Sequence, residues 1–213
     1  MTSSRQPPVA HGRHERHRIR SRAALIEAAC EFLAAPIGTE ASIRQITARA
    51  DVGIGTFYNH FEGKSELFEA AIAHTLHRFG EFFDDATAGI EDPALLYANG
   101  IRMTLHLRRT HRQMTDIVMR LGMGSVAKDR ALVPRAEAGL HAAADAGRLH
   151  ITDFDTAIAC TAGSILSCLH LLAGDPTADV ETVATELATN LLRMFGLPEP
   201  EARALASTPL PVP

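Results

Sequence analysis

The sequence has few of the features that mark secreted, metal-binding or membrane-anchored proteins. Its three cysteines, Cys30, Cys160 and Cys168, have no spacing that matches a metal or redox motif. Cys160 and Cys168 would lie roughly 12 Å apart along one predicted helix, which is too far for an intrachain disulfide. We therefore expect a reduced, cytoplasmic protein with no structural metal and no cofactor.

Signal-like and strand-like patterns are also missing. The chain begins Met-Thr-Ser-Ser-Arg-Gln-Pro-Pro, which lacks the apolar core of a secretory signal, and we expect no apolar run of membrane-spanning length. Alternation of apolar and polar residues over strand-length windows is not convincing anywhere. The sequence therefore predicts an all-α protein that does not associate with membranes.

A positioned catalytic or metal-binding group is the third absence. His106 and His111 are five residues apart, which is not the i,i+4 spacing of paired helical ligands. His11, His14 and His17 recur every third residue, but without neighbouring thiolates or a rigid element. We expect no enzymatic activity. The alternative is a helical ligand-binding or enzymatic protein without DNA-binding activity.

The composition is that of a globular protein, and the net charge differs between the N-terminal segment and the rest of the chain. Apolar residues make up 46% and charged residues 22%, and the net charge is −4. Residues 1–64 contain nine basic and six acidic side chains, a net charge of +3, which leaves −7 for the rest. This asymmetry would direct a polyanion to the N-terminal end.

Helical spacing predicts about nine helices in two domains. We expect a flexible basic arm at 1–17, a compact three-helix domain at 18–64, a larger helical domain at 65–196 and a Pro-rich disordered tail at 197–213. In the larger domain, helices are predicted near 93–110, 112–122, 126–146, 153–173 and 178–195, with Gly196 as a C-cap. The arginines at the chain start either reach phosphates or an adjacent minor groove, or belong to a solvated tail; these are Arg13, Arg16, Arg18, Arg20 and Arg22.

Residues 42–61 have the dimensions of a helix-turn-helix motif. Ser42 and Gln45 form a predicted capping box, and a three-residue turn at 51–53 separates the helix at 42–50 from a recognition helix at 54–61. Phe57 and Phe61 are four residues apart and would dock this helix onto the domain. The opposite side carries small or hydrogen-bonding residues, as entry into a DNA major groove requires.

The string from Ile43 to Leu67 resembles the DNA-binding signature of TetR-family regulators. It carries an Ile-x-x-x-Ala segment before the turn, then Gly-Thr-Phe-Tyr-Asn-His-Phe, then Lys-x-x-Leu, and the resemblance covers about residues 20–72. The resemblance implies a transcription regulator that grips double-stranded DNA. It implies phosphate contacts from Ser42, Thr56, Tyr58, His60 and Lys64, and base-edge contacts from Arg44, Ile54, Gly55 and Asn59.

The same family forms homodimers through its last two long helices, and two segments here look like that pair. Both are apolar around most of their girth, so they must be covered on two sides. The predicted interface is Ile158, Ala162, Ile165, Leu169, Leu172, Val183, Leu187, Leu191 and Met194. The alternative is that these helices only form the monomer core. A two-fold dimer requires an inverted-repeat operator.

The resemblance also implies a pocket for a small-molecule effector. Four of the six methionines fall between residues 103 and 123, and methionine adapts to varied apolar ligands. The predicted lining is Phe79, Phe83, Met103, His106, Leu107, Met114, Met119, Met123 and His141. Filling of an irregular core by methionine is the alternative. Together these features predict a repressor that a small, largely apolar effector releases from DNA.

Overall fold

The computed structural model describes residues 10–126 and 132–211, which contain ten α-helices and no strand. The predicted all-α class is confirmed. The helices are α1 (Ala10–Ala34), α2 (Ile43–Arg49), α3 (Ile54–Tyr58), α4 (Lys64–Thr87), α5 (Pro93–Thr110), α6 (Arg112–Val126), α7 (Leu132–Asp145), α8 (Phe154–Gly174), α9 (Val180–Met194) and α10 (Glu199–Ala206). A 3₁₀ turn at Gly38–Glu40 lies between α1 and α2. The chain divides into two compact units, Met1–His74 and Thr75–Pro213.

The first unit is built on a small apolar core to which all four of its helices contribute. Leu25 of α1, Ile46 of α2, Phe57 of α3, and Leu67 and Ala71 of α4 are all fully buried. Burial of the last two explains why this unit extends to His74, beyond the boundary predicted at residue 64. Helical spacing of apolar residues thus positions α2 and α3 on α1 and on the first turns of α4.

Helix α1 begins earlier than predicted. It begins at Ala10, so the expected start at Arg18 was wrong, and residues 10–17 are helical rather than an irregular arm. Residues 14–20 are exposed, so no apolar stripe reveals this part of the helix. Glu15 and Arg18 pair at 3.1 Å with i,i+3 spacing, which supports a solvated helix. The first nine residues of the predicted arm lie outside the described residues.

Helix α5 lies at the centre of the second unit, in contact with α7, α8, α9 and α10. Ala94, Ala98 and Ile101 of α5 are buried together with Leu140 of α7 and Leu192 of α9. A second apolar cluster joins Leu105 of α5 to α8 and α9. Helices α5, α8 and α9 lie within two residues of their predicted limits, whereas α6 ends four residues later than predicted and α7 begins at Leu132 rather than near 126. The C-cap of α9 is Phe195, and the predicted cap Gly196 follows it with a positive φ of 96°.

The predicted disordered tail at 197–213 was wrong over most of its length. It contains α10, and Leu197, Ala202 and Ala206 are buried in the core of the second unit. Pro198 and Pro200 stand at the start of this helix, where a missing backbone N–H is tolerated. Proline content therefore indicated a helix start rather than disorder.

An arginine joins three segments around α10. Arg148, which follows α7, donates to Asp92 at 3.0 Å and to Glu201 at 2.7 Å. Asp92 also caps α5 by accepting from the Ala94 N–H at 2.9 Å. The hydrogen bond from Arg148 lowers the pKa of Asp92 below its ordinary value. The network ties the starts of α5 and α10 to the end of α7.

Helix α8 has more apolar side chains than the fold of the chain buries. By length and composition it could cross a membrane, contrary to the expectation that no run is long enough, yet only 17% of its most apolar window is buried. Its buried residues are Ala157, Leu169 and Leu172. Much of the helix therefore presents apolar or small side chains outside the core of the second unit.

Candidate nucleic-acid interface and ligand cavity

The start of α2 is fixed by the predicted capping box. The Ser42 hydroxyl accepts from the Gln45 N–H at 3.3 Å, and the Gln45 side chain accepts from the Ser42 N–H at 2.9 Å. The Ser42 hydroxyl proton is itself donated to Gln45 at 2.8 Å. Ser42 is exposed, as a phosphate ligand must be, but a phosphate contact requires this proton to turn away from Gln45.

The turn between α2 and α3 is closed by backbone hydrogen bonds. The Val52 N–H donates to the Thr47 carbonyl at 3.0 Å, and the Thr56 N–H donates to the Gly53 carbonyl at 2.9 Å. Asp51 has a left-handed φ of 53°, which reverses the chain direction here. The two helices are thereby held in the predicted helix-turn-helix order.

Aromatic side chains anchor α3 on its inner side. Phe57 is fully buried and Phe61 is 2% exposed, with their ring centroids 6.0 Å apart. The Arg22 guanidinium lies 5.1 Å above the centre of the Phe61 ring, a cation–π contact with α1. The helix itself ends at Tyr58, and Asn59 is its C-cap, so the predicted helix at 54–61 was three residues too long.

The outer side of α3 is open and narrow. Ile54 is 44% exposed and Tyr58 is 58% exposed, and Gly55 and Asn59 are exposed as well. A Cβ atom added at Gly55 would meet nothing within 4 Å, so internal packing does not require glycine there. Arg44 of α2 is also exposed, and Thr56 is half-buried. The predicted base-edge residues are therefore all exposed on the motif.

His60 differs from the other predicted phosphate ligands. Its Nε2 lies 2.8 Å from the hydroxyl of Ser21, and that hydroxyl donates to the Arg18 carbonyl at 3.0 Å. In the arrangement where the serine proton is on the Arg18 carbonyl, Nε2 of His60 is the donor to Ser21. Partial burial lowers the pKa of His60, and the charges of Arg18 and Arg22 lower it further. The structure thus gives His60 a contact with α1 that sequence reasoning missed, since Ser21 is 39 residues away.

Lys64 lies at the first turn of α4, as predicted. Its ammonium donates to the Thr39 carbonyl at 3.2 Å, which leaves two of its three N–H groups for another acceptor. The Glu66 carboxylate accepts from the Glu62 N–H at 2.6 Å and so caps the helix start. Backbone N–H groups and a cation at a helix N-terminus together suit a phosphate.

The second unit contains an apolar cavity of about 210 Å³. Phe79 and Phe83 of α4 line it, as the sequence suggested, together with residues of α5, α6, α7 and α8. A Cβ atom at Gly100 would lie 3.1 Å from the Phe83 ring, so this glycine lets the ring lie close against α5. The cavity offers a small apolar ligand a binding site within the described part of the second unit.

The other residues predicted to line a pocket lie elsewhere. Met103 and Leu107 are buried outside the cavity wall, and Met114 and Met119 are half-buried away from it. His106 bonds to Glu181 at 2.8 Å, and His141 stacks on Phe154 with ring centroids 3.7 Å apart. The Met123 side chain lies outside the described residues. Methionine content located the right helices but could not resolve which face of each meets the cavity.

The α5 residues that do line the cavity have a clear helical spacing. Tyr97, Gly100, Ile101 and Thr104 recur at i, i+3, i+4 and i+7, and Thr161 of α8 faces them. The Tyr97 hydroxyl lies 2.7 Å from that of Thr161. Sequence reasoning missed these residues, although the spacing on α5 could have indicated them.

Only some of the residues predicted to form the dimer interface lie on the surface of the chain. Leu169, Leu172 and Leu191 are 1%, 6% and 4% exposed within the chain, so they offer little surface to a second copy. Four of the predicted interface residues line the cavity instead: Ile158, Ala162, Ile165 and Leu169. A helix that is apolar on most sides has two rows of apolar residues at helical spacing. The prediction from spacing alone chose the row that faces the core.

The outward surface of α8 and α9 is formed by other residues. Leu171 is 53% exposed and Met194 is 50% exposed, and Ser167 is exposed between turns of α8. A Cβ atom at Gly163 would meet nothing within 4 Å, so a second helix could approach closely there. Val183 and Leu187 of α9 are half-buried. Of the predicted interface residues, Met194 is the most accessible.

Comparison with known proteins places this architecture among DNA-binding transcription regulators. The family of bacterial regulatory proteins of the tetR type matches residues 25–71, and the tetracyclin repressor-like C-terminal domain matches residues 92–208. RolR in complex with its ligand resorcinol is 30% identical over 93% of this chain and 98% of its own, with a TM-score of 0.73. The chain belongs to the TetR family.

More distant solved structures share the fold. SmeT, the repressor of the Stenotrophomonas maltophilia multidrug efflux pump SmeDEF, is 20% identical over 90% of this chain and 97% of its own, with a TM-score of 0.70. FadR from Bacillus subtilis, in complex with stearoyl-CoA, is 16% identical over 80% of this chain and 97% of its own, with a TM-score of 0.68. No curated protein matches the sequence.

Proposed function

We propose that this protein is a homodimeric repressor that leaves an inverted-repeat operator when a small, largely apolar effector binds. The observation that carries the proposal is the narrow outer surface of the helix-turn-helix motif, where Gly55, Asn59 and Arg44 are exposed and Phe57 is buried behind them. A recognition helix requires this division between anchoring and reading sides. The members of its family are transcription regulators, and we propose no enzymatic role.

The cavity supports the effector part of the proposal. Its volume of about 210 Å³ suits a molecule with one substituted ring, since a cavity of roughly 150 Å³ is known to hold benzene. RolR, which shares 30% identity, has been solved with resorcinol, a molecule of that size class. Helix α4 contributes buried residues to the first unit and Phe79 and Phe83 to the cavity wall. Ligand-dependent displacement of α4 is therefore our proposed route of release.

The experiment compares two cations of the motif on an operator fragment and on an unrelated duplex, by fluorescence anisotropy. Lys64→Ala should weaken binding to both duplexes alike, because a phosphate contact carries no sequence information. Arg44→Ala should weaken operator binding by about 1–3 kcal/mol and leave the unrelated duplex nearly unchanged.

Arg49→Ala is the matched control, because Arg49 lies on the same helix but pairs with Glu31 of α1. It should bind both duplexes like the unmodified protein. Equal losses for Arg44→Ala and Lys64→Ala on both duplexes would contradict the division between reading and clamping residues. Unchanged binding for both would remove this surface from the DNA interface.

A further inference from the structure

The wall of the cavity has very few polar side chains. Among the described residues that line it, only Tyr97, Thr104, Thr161 and Arg135 carry side-chain nitrogen or oxygen atoms. In the described part of the wall, these four groups determine which polar ligand atoms side chains can satisfy. A buried ligand group that none of them can pair would cost free energy.

The hydroxyl protons on this wall are already used. Thr161 donates to the Ala157 carbonyl at 2.8 Å, and Thr104 donates to the Gly100 carbonyl at 2.6 Å. A hydroxyl has one proton, so in the arrangement where Thr161 donates to Ala157 the 2.7 Å contact between Tyr97 and Thr161 is donated by Tyr97. Each of the three oxygens can still accept a hydrogen bond, and none has a proton left for a ligand.

The charge on this wall is also compensated. The Arg135 guanidinium donates to Asp84 from two nitrogens, each at 3.2 Å. Burial raises the pKa of the Tyr97 hydroxyl above its ordinary value, so it stays protonated at neutral pH. A carboxylate in this cavity would therefore meet hydroxyl oxygens whose protons are used and a guanidinium whose charge Asp84 already balances.

The hydroxyl oxygens and the ring-sized volume together define the chemistry of the ligand. We propose that the cavity binds a neutral, hydroxylated single-ring aromatic, and that Tyr97 selects it by accepting a hydrogen bond from the ligand hydroxyl. The inference rests on the proposed effector site and adds the ligand class to it. Phe83, which lies against Gly100, offers an aromatic wall for such a ring.

The test is calorimetric titration of the full chain with resorcinol, phenol, toluene and benzoate at neutral pH. Phenol should bind about 3- to 10-fold more tightly than toluene, the worth of one hydrogen bond to a neutral group, and benzoate should bind weakest. Tyr97→Phe should remove the advantage of phenol and leave toluene binding within about 2-fold. Ser207→Ala is the control, because it removes an exposed hydroxyl of the second unit that does not line the cavity.

A second variant gives a readout that loss of packing would not produce. Thr161→Val keeps the shape of the side chain but removes the acceptor, which frees the Tyr97 proton for a ligand. Acetophenone, a ring with an acceptor and no donor, should then gain about 3- to 10-fold in affinity relative to phenol.

The outcomes separate this inference from the proposed function. Equal affinity for toluene and phenol, or preference for benzoate, would overturn the inference and leave the cavity as an effector site. Failure of all four probes to bind, in protein that still binds duplex DNA, would overturn both the inference and the effector part of the proposed function. Neither result would contradict the proposal that the first unit binds DNA.

Discussion

Asp51 holds the turn of the helix-turn-helix motif in a conformation that suits glycine better. It is the non-glycine residue with positive φ in the described ranges, at 53°. We expect Asp51→Gly to raise the free energy of unfolding by about 0.5–1 kcal/mol, with part of the relief offset by the flexibility of glycine in the unfolded chain. Urea denaturation would measure the change.

The control for this prediction is Ala48→Gly, three residues earlier on α2. Ala48 is exposed and helical, so glycine there should lower the free energy of unfolding by about 1 kcal/mol. Opposite signs for the two variants are the expected result. A loss for Asp51→Gly as large as that for Ala48→Gly would show that the turn gains nothing from a left-handed residue.

His60 gives the first unit a pH dependence. Its pKa is lowered in the folded state by burial and by Arg18 and Arg22, so protonation opposes folding. The stabilisation is fully present above the ordinary pKa of 6.5 and is lost as the pH falls through the lower folded pKa. We expect His60→Gln to lose less stability than the unmodified protein between about pH 7.5 and about pH 5.5. An identical loss in both proteins, measured by denaturation, would contradict this.

At the residue scale, sequence reasoning succeeded where the partner was close in the chain. The Ser42–Gln45 capping box and the Phe57–Phe61 pair depend on spacings of three and four residues, and both are present. The contact of His60 with Ser21 and that of Tyr97 with Thr161 cross long stretches of sequence. Local spacing carries no information about such partners. The resemblance implied a phosphate contact for His60 and gave no indication of its hydrogen bond to Ser21.

At the scale of elements, α10 provides the sharpest test, because composition predicted disorder there. Ala202 is fully buried and Ala204 is exposed on the same helix. We expect Ala202→Asp to lower the free energy of unfolding by about 3–5 kcal/mol, the cost of an unpaired buried charge. Ala204→Asp should change it by about 0.5 kcal/mol or less. Small effects of both substitutions in thermal denaturation would restore the disordered tail.

The elements also show where periodicity is ambiguous. Helix α5 was predicted at its observed limits because Pro93 marks its start and its apolar spacing is regular. Helix α8 was found too, but its interface was assigned to Leu169 and Leu172, which are buried in the subunit. An apolar helix with small residues on its other side has no polar stripe to show which face is outward. Only the packing of α5, α6 and α9 against α8 shows which of its faces is outward.

At the scale of the whole molecule, dimerisation should depend on the outward surface of α8. Leu171 is 53% exposed in the subunit, and Ala173 is exposed on a different side of the same helix. Leu171→Glu should shift the protein from dimer to monomer in sedimentation velocity, because it places a charge in an apolar interface. Ala173→Glu should remain dimeric. A monomeric unmodified protein, or a dimeric Leu171→Glu, would contradict the proposed interface.

The division of charge also belongs to this scale. Residues 1–64 carry +3 and the remainder carries −7, so the acidic total of the chain conceals a basic N-terminal segment. Most of the fold, two of the cavity residues and the outer surface of the motif could be predicted from the sequence. The orientation of α8 and the polar wall of the cavity could not, because both depend on helices brought together from distant parts of the chain.

The central claim is that the outer surface of α3 reads double-stranded DNA, once per subunit. DNase I footprinting of the region upstream of the protein's own gene tests it, with Gly55→Glu as the variant and Ala204→Asp as a control that adds a charge in the second unit. Gly55 is exposed with open space at its Cβ position, so the variant should fold. We predict two protected half-sites in inverted repeat, lost in Gly55→Glu and kept in Ala204→Asp. No protection at low ionic strength, or the same protection in Gly55→Glu, would contradict the claim.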